Sequence, residues 1–158
     1  MRASNEFDKD MEKAAQIFRF LMEEGYYPTY EKTHIIFRLD DNQATLEYQN
    51  GIITIRIFFS IEEETLDMFL EAANATMSES ICVKPVILED RKTLMLCTET
   101  MCDNIREFKK FFPRSVGYIK DALYIHRHQM RKLLQKNVLY KDLYTHDHEY
   151  DTTKKFCN

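Results

Sequence analysis

From Phe7 onward apolar side chains return at Met11, Ala14, Ala15, Phe18, Leu21 and Met22, the spacing of three and four that lays one stripe along a helix. Ser4 or Asn5 offers a cap, Glu6, Asp8 and Asp10 suit the positive end of the helix dipole, and Gly25 offers the left-handed residue at which the helix stops. Between Thr33 and Ser60 the period drops to two, interrupted by the turn signals Asp41-Asn42 and Asn50-Gly51, so three strands in a meander are expected. With two-residue turns at both places, Phe37 lies opposite Leu46 and Leu46 opposite Ile55. Ile35, Leu39, Ala44, Tyr48, Ile53 and Ile57 then share their face. The other face carries Ile36, Arg38, Thr45, Glu47, Thr54, Arg56 and Phe58, a mixture that is neither a clean solvent face nor a core.

Ser60 with Glu63 reads as a capping box, and Leu66, Phe69, Leu70, Ala73 and Met77 supply a second helical stripe ending near Ser78. Residues 81–88 and 93–100, joined through Asp90-Arg91, read as a second hairpin. It keeps Val86, Leu88, Met95 and Cys97 on one side, and Pro85 places its first strand at an edge or a bulge. From Asp103 the positions Ile105, Phe108, Phe112, Val116, Ile119 and Leu123 keep helical phase straight through Pro113, which predicts one long helix; a break at Phe112 is the alternative. These elements make one α+β domain over residues 1–136, in the order α-β-β-β-α-β-β-α. A five-stranded, mainly antiparallel sheet with helices packed on it is the simplest arrangement. Residues 137–158 read as a polar C-terminal extension, expected to be mobile.

Composition narrows the function more than the fold. The chain has 158 residues and a formal net charge of −4, so it is no general polyanion binder. Its three glycines lie too far apart for a phosphate-cradling loop. No apolar run of about 18 residues occurs and the start is polar, so a cytoplasmic protein with no membrane span is expected. The four cysteines form no CxxC pair and read as reduced structural thiols.

Charge, by contrast, is segregated. Between Asn104 and Lys136 stand nine lysines and arginines against Glu107 and Asp121 alone, whereas no Lys or Arg occurs from Ile57 to Val83, a stretch rich in Glu and Asp. Such runs can be solvated faces, neighbouring helices of opposite sign, or a basic face for an acidic partner. No nucleic-acid-binding motif accompanies the cluster, so nucleic acid is not the expected partner.

Candidate chemistry is thin. On a helix, residues two apart point about 200° from each other, so His126 and His128 do not share an ion easily. His146 and His148 could do so in an extended tail, without a second shell to build a proper site. Cys102, just before the last helix, is the one thiol placed for the helix dipole to lower its pKa. No nucleophile elbow or convergent acid–base set is visible, and no catalytic residue, metal site or cofactor is expected.

The element order, with the hairpin EYQNGIITIRIFF, the acidic helix SIEEETLDMFLEAAN and the closing TLMLCTET and NIREFKKFF, resembles the YbjN-like proteins and the wider type III secretion chaperone-like fold group over roughly residues 5–136. That resemblance implies a small protein, often dimeric, whose surfaces hold another polypeptide. The half-apolar second sheet face points the same way, because such a face is costly to leave in water. The expectation is therefore a non-enzymatic, chaperone- or adaptor-like protein-binding module acting as a homodimer. Its candidate partner-binding residues are Arg38, Arg56, Phe58, Val86 and Met95 on the sheet and Arg127, Arg131 and Lys132 on the last helix. The alternative is a small-molecule- or metal-responsive regulatory protein that uses the histidine tail or a pocket between the last helix and the sheet.

Overall fold

The computed structural model describes the backbone of residues 2–147 and the side chains of residues 9–138. Helix α1 (Arg2–Glu23) begins earlier than the stripe suggested, so Ser4 and Asn5 lie within it and do not cap it. It stops where expected. Gly25 sits at φ +79°, with Tyr26 N–H donating to Leu21 O at 2.9 Å and Gly25 N–H to Met22 O at 3.1 Å, the paired bonds that satisfy the last carbonyls of a helix.

Six strands follow in one antiparallel sheet, one more than expected: β1 (Thr29–Glu31), β2 (His34–Leu39), β3 (Asn42–Gln49), β4 (Ile52–Ser60), β5 (Lys84–Ile87) and β6 (Thr93–Met101), ordered β1-β2-β3-β4-β6-β5. The β3–β4 register matches the sequence reading, with Leu46 opposite Ile55 and Tyr48 opposite Ile53. The β2–β3 register does not. That hairpin turns on Asp40-Asp41, placing Phe37 opposite Ala44 and Ile35 opposite Leu46. The slip is two residues, so every side chain keeps its face. Asp40 takes φ +53°, the left-handed conformation that a short polar side chain tolerates.

Between β4 and β5 a short 3-10 turn (Glu63–Thr65) leads into α2 (Leu66–Glu79). The expected capping box is not formed: Ser60 ends β4, and neither the turn nor α2 carries a side-chain cap. Pro85 lies in the edge strand β5, where its missing N–H breaks no ladder bond needed on the outer side.

Helix α3 (Ile105–Asp147) is a single 43-residue helix with Pro113 inside it, as the unbroken phase required. It runs past the expected domain boundary at residue 136; the rest of the tail, from residue 148, lies outside the described residues.

All three helices lie on one side of the sheet. Phe37, Leu46, Ile53, Ile55, Ile57, Leu94 and Leu96 point into this layer and meet Ile17, Leu21, Phe108, Phe112 and Ile119 from the helices, all at most 2% exposed. Phe112 is the hub of an aromatic cluster, with the rings of Phe20, Tyr26, Phe37 and Phe108 at centroid distances of 5.0–6.0 Å, separations at which edge and tilted ring pairs attract. Helix α2 lies antiparallel along α3, Glu79 beside Gln129 at one end and Met68 beside Asn137 at the other. The acidic and basic helices are therefore neighbours, yet among the described residues no ion pair joins them. No described helix is long and apolar enough to cross a membrane.

Candidate functional site

Among the described residues, the opposite side of the sheet carries no helix. Alternation along the strands projects three cross-strand rows onto it. The first holds His34, Glu47, Thr54 and Glu99, and the second Ile36, Thr45, Arg56, Cys97 and Lys84. Beside these, Arg38 pairs with Gln43 at one end, and Phe58, Met95 and Val86 stand in line at the other.

The middle of this face is internally paired. Arg56 donates to Glu47 Oε2 at 3.0 Å, His34 Nε2 lies 3.6 Å from the same oxygen, and Lys84 donates to Glu99 at 2.9 Å. That last bond raises the Lys84 pKa and lowers that of Glu99. Cys97 is covered by this layer, and burial pushes its thiol pKa up, so it is a packing residue. Apolar groups flank the charged middle on both sides: Phe58 (44% exposed), Val86 (37%) and half-buried Met95 at one end, Ile52 (43%) and Met101 (84%) at the other.

The structure therefore brings five of the expected residues, Arg38, Arg56, Phe58, Val86 and Met95, onto one open surface. It separates the other three. Arg127 and Arg131 belong to the helical layer, where they border a cavity beside the β2–β3 turn, and Lys132 lies outside that cavity's lining. The expected set is two surfaces on opposite faces of the sheet.

The remaining sequence candidates fall as follows. His126 and His128 diverge as helical geometry requires, His126 buried against α2 and His128 exposed and stacked on Tyr124 at 6.2 Å. The side chain of His146 and all of His148 lie outside the described residues. Among the described residues no three His, Cys, Asp or Glu side chains gather as metal ligands would. Cys102 is a correction to the expectation of dipole activation. Its thiol is buried and donates to Asn104 O at 3.2 Å, and burial raises its pKa. The cavity lies between the last helix and the sheet, where the alternative reading puts a pocket; its second wall is the β2–β3 turn, whose register differs from the expected one by two residues.

A six-stranded antiparallel sheet, open on one face and covered on the other by two shorter helices and one long helix, is a YbjN-like fold. The crystal structure of YbjN from E. coli, a proposed transcription regulator, superposes with a TM-score of 0.60 at 13% identity, over 75% of this chain and 93% of that one. An uncharacterised protein from Methanothermobacter thermautotrophicus gives 0.58 at 13% identity, over 76% and 97%. No protein-family model matches the chain, and no curated protein matches its sequence.

Proposed function

We propose that this protein is a non-enzymatic, chaperone- or adaptor-like protein-binding module that acts as a homodimer through its open sheet face. One observation carries the reading: among the described residues a whole face of the central sheet has no helix over it and presents Phe58, Met95 and Val86 as an apolar strip beside paired charges. Exposed apolar groups contiguous on a sheet gain about 25 cal/mol for every Å² removed from water, so a partner surface stabilises them. The mixed signs of Arg38, Arg56, Lys84, Glu47 and Glu99 favour a copy of the same face, since a two-fold axis can set each sign against its opposite. Face-on contact is favoured over strand addition. Both edge strands are short, three residues in β1 and four in β5, and β5 contains Pro85.

Where titratable groups are perturbed, structural partners explain it: the β5–β6 turn holds the Asp90 carboxylate, the Tyr48 hydroxyl holds the Lys13 ammonium, and burial acts on the two thiols. A non-catalytic role fits this distribution.

The test is affinity capture of the tagged chain from its native cells, with a photocrosslinking residue placed at Val86 in one preparation and at Arg131 in another. A second copy of the chain joined at position 86 and lost in Phe58→Asp supports the proposal, whereas a different protein joined there contradicts the dimer face. No crosslinked polypeptide at position 86 in repeated captures contradicts it.

A further inference from the structure

The second surface is a different kind of site. Where α3 passes the β2–β3 turn, a cavity of about 350 Å³ opens between them, a size at the small end of the range for organic ligands. Its floor is apolar and buried: Leu39 from β2, Ile57 from β4, and Ile119 and Leu123 from α3 are each at most 8% exposed. Its mouth is polar and divided by sign. On one side Lys120 is paired with Asp40 at 2.9 Å. On the other, Arg127 and Arg131 stand one helical turn apart and border the same space, and among the described residues neither has a carboxylate partner. Asp41 is the one lining carboxylate outside an ion pair.

We propose that this cavity binds a small amphipathic anion, its apolar body against Leu39, Leu123 and the exposed ring of Tyr124 and its carboxylate or phosphate held by Arg127 and Arg131. Two features select this class. Guanidinium groups offer planar pairs of N–H donors that match the oxygens of a carboxylate or a phosphate. An apolar floor beneath an unpaired cationic lip favours a molecule that is greasy at one end and anionic at the other over a uniformly charged or uniformly apolar one. The exposed Tyr124 and His128, stacked with their rings 4° from parallel, extend the lip and offer a flat edge to the ligand. Because the cavity joins α3 to the β2–β3 hairpin, an occupant ties two elements of the fold and stabilises the protein by mass action.

Isothermal titration of the full chain with octanoate, octyl phosphate, octanol and inorganic phosphate, each alkyl probe below its micellar range, tests the assignment. Octanoate or octyl phosphate is expected to bind at least about tenfold tighter than octanol, as two charge-assisted hydrogen bonds would provide. The tighter of the two anions identifies the head group. Arg127→Gln with Arg131→Gln is expected to lose that advantage, whereas Lys132→Gln, outside the lining, keeps it. Asp41→Asn is expected to tighten binding about two- to fivefold by removing a like charge, a gain that misfolding cannot produce. Octanol binding as tightly as the anions, inorganic phosphate binding as tightly as octyl phosphate, an unaltered double variant, or no binding of any probe would overturn the proposal.

Discussion

His126 is 4% exposed, with Nδ1 3.5 Å from the Thr76 hydroxyl and no hydrogen-bond partner at Nε2. The α2 residues that meet it, Phe69, Ala72 and Thr76, carry no charge, and burial lowers its pKa below the ordinary histidine value. Its neutral form is therefore the one the fold accepts. At pH 7 and above the ring is neutral in both states and the site carries no ionisation cost. As pH falls through about 6.5 the unfolded chain gains a proton that the folded chain resists, and stability declines until the folded pKa is passed. Urea unfolding at pH 7.5 and 5.5 should show a loss in the parent that is largely absent in His126→Leu; equal losses in both would place the titration elsewhere. The thiols give a second test at this scale. Cys82 is exposed while Cys97 and Cys102 are buried with raised pKa values, so iodoacetamide followed by peptide mapping should label Cys82 well before Cys97 and Cys102, which react only on unfolding. At the aromatic hub, Phe112→Ala should cost about 3–5 kcal/mol in urea unfolding, the usual range for emptying a buried aromatic site.

At the scale of elements, what could be read from the chain depended on how far each signal was local. Asn50-Gly51 forms its turn with φ of +51° and +75°, and the register of β3 with β4 follows from it; Gly51→Ala should cost about 1–2 kcal/mol through strain at positive φ. Asp41-Asn42 was a weaker signal because Asp40 can also adopt the left-handed conformation, and only the pairing of Phe37 with Ala44 and Ile35 with Leu46 chooses between the two turns. Strand β1 left no pattern at all, since its three residues are all exposed and it exists by pairing with β2. Ser60 has good cap chemistry but is taken by the ladder with β6, where it faces Thr93, so tertiary pairing overrides local preference. In α3, by contrast, the apolar phase through Pro113 was decisive. The proline is solvent-exposed, and its ring denies Lys109 O the usual helical donor. Pro113→Ala should therefore raise stability by about 1–3 kcal/mol with no loss of packing, measurable as a higher urea midpoint.

The whole molecule is a sheet with two unlike sides. The candidate residues come from the mixed strand face and the basic helix, but membership of a common surface depends on which side of the sheet the helices cover, and periodicity does not encode that. Once the three helices gather on the Phe37, Leu46 and Ile55 side, Phe58, Met95 and Val86 are left together in the open, and Arg127 and Arg131 are carried to a separate cavity. The open side is the proposed dimer interface. Sedimentation velocity of the full chain from about 1 to 100 μM, beside Phe58→Asp with Met95→Asp, addresses it directly. These side chains lie on the helix-free face, so the variant should keep the parent's circular dichroism. The account predicts a dimer for the parent and a monomer for the variant across that range; a monomeric parent, or a dimer that survives both substitutions, would contradict it.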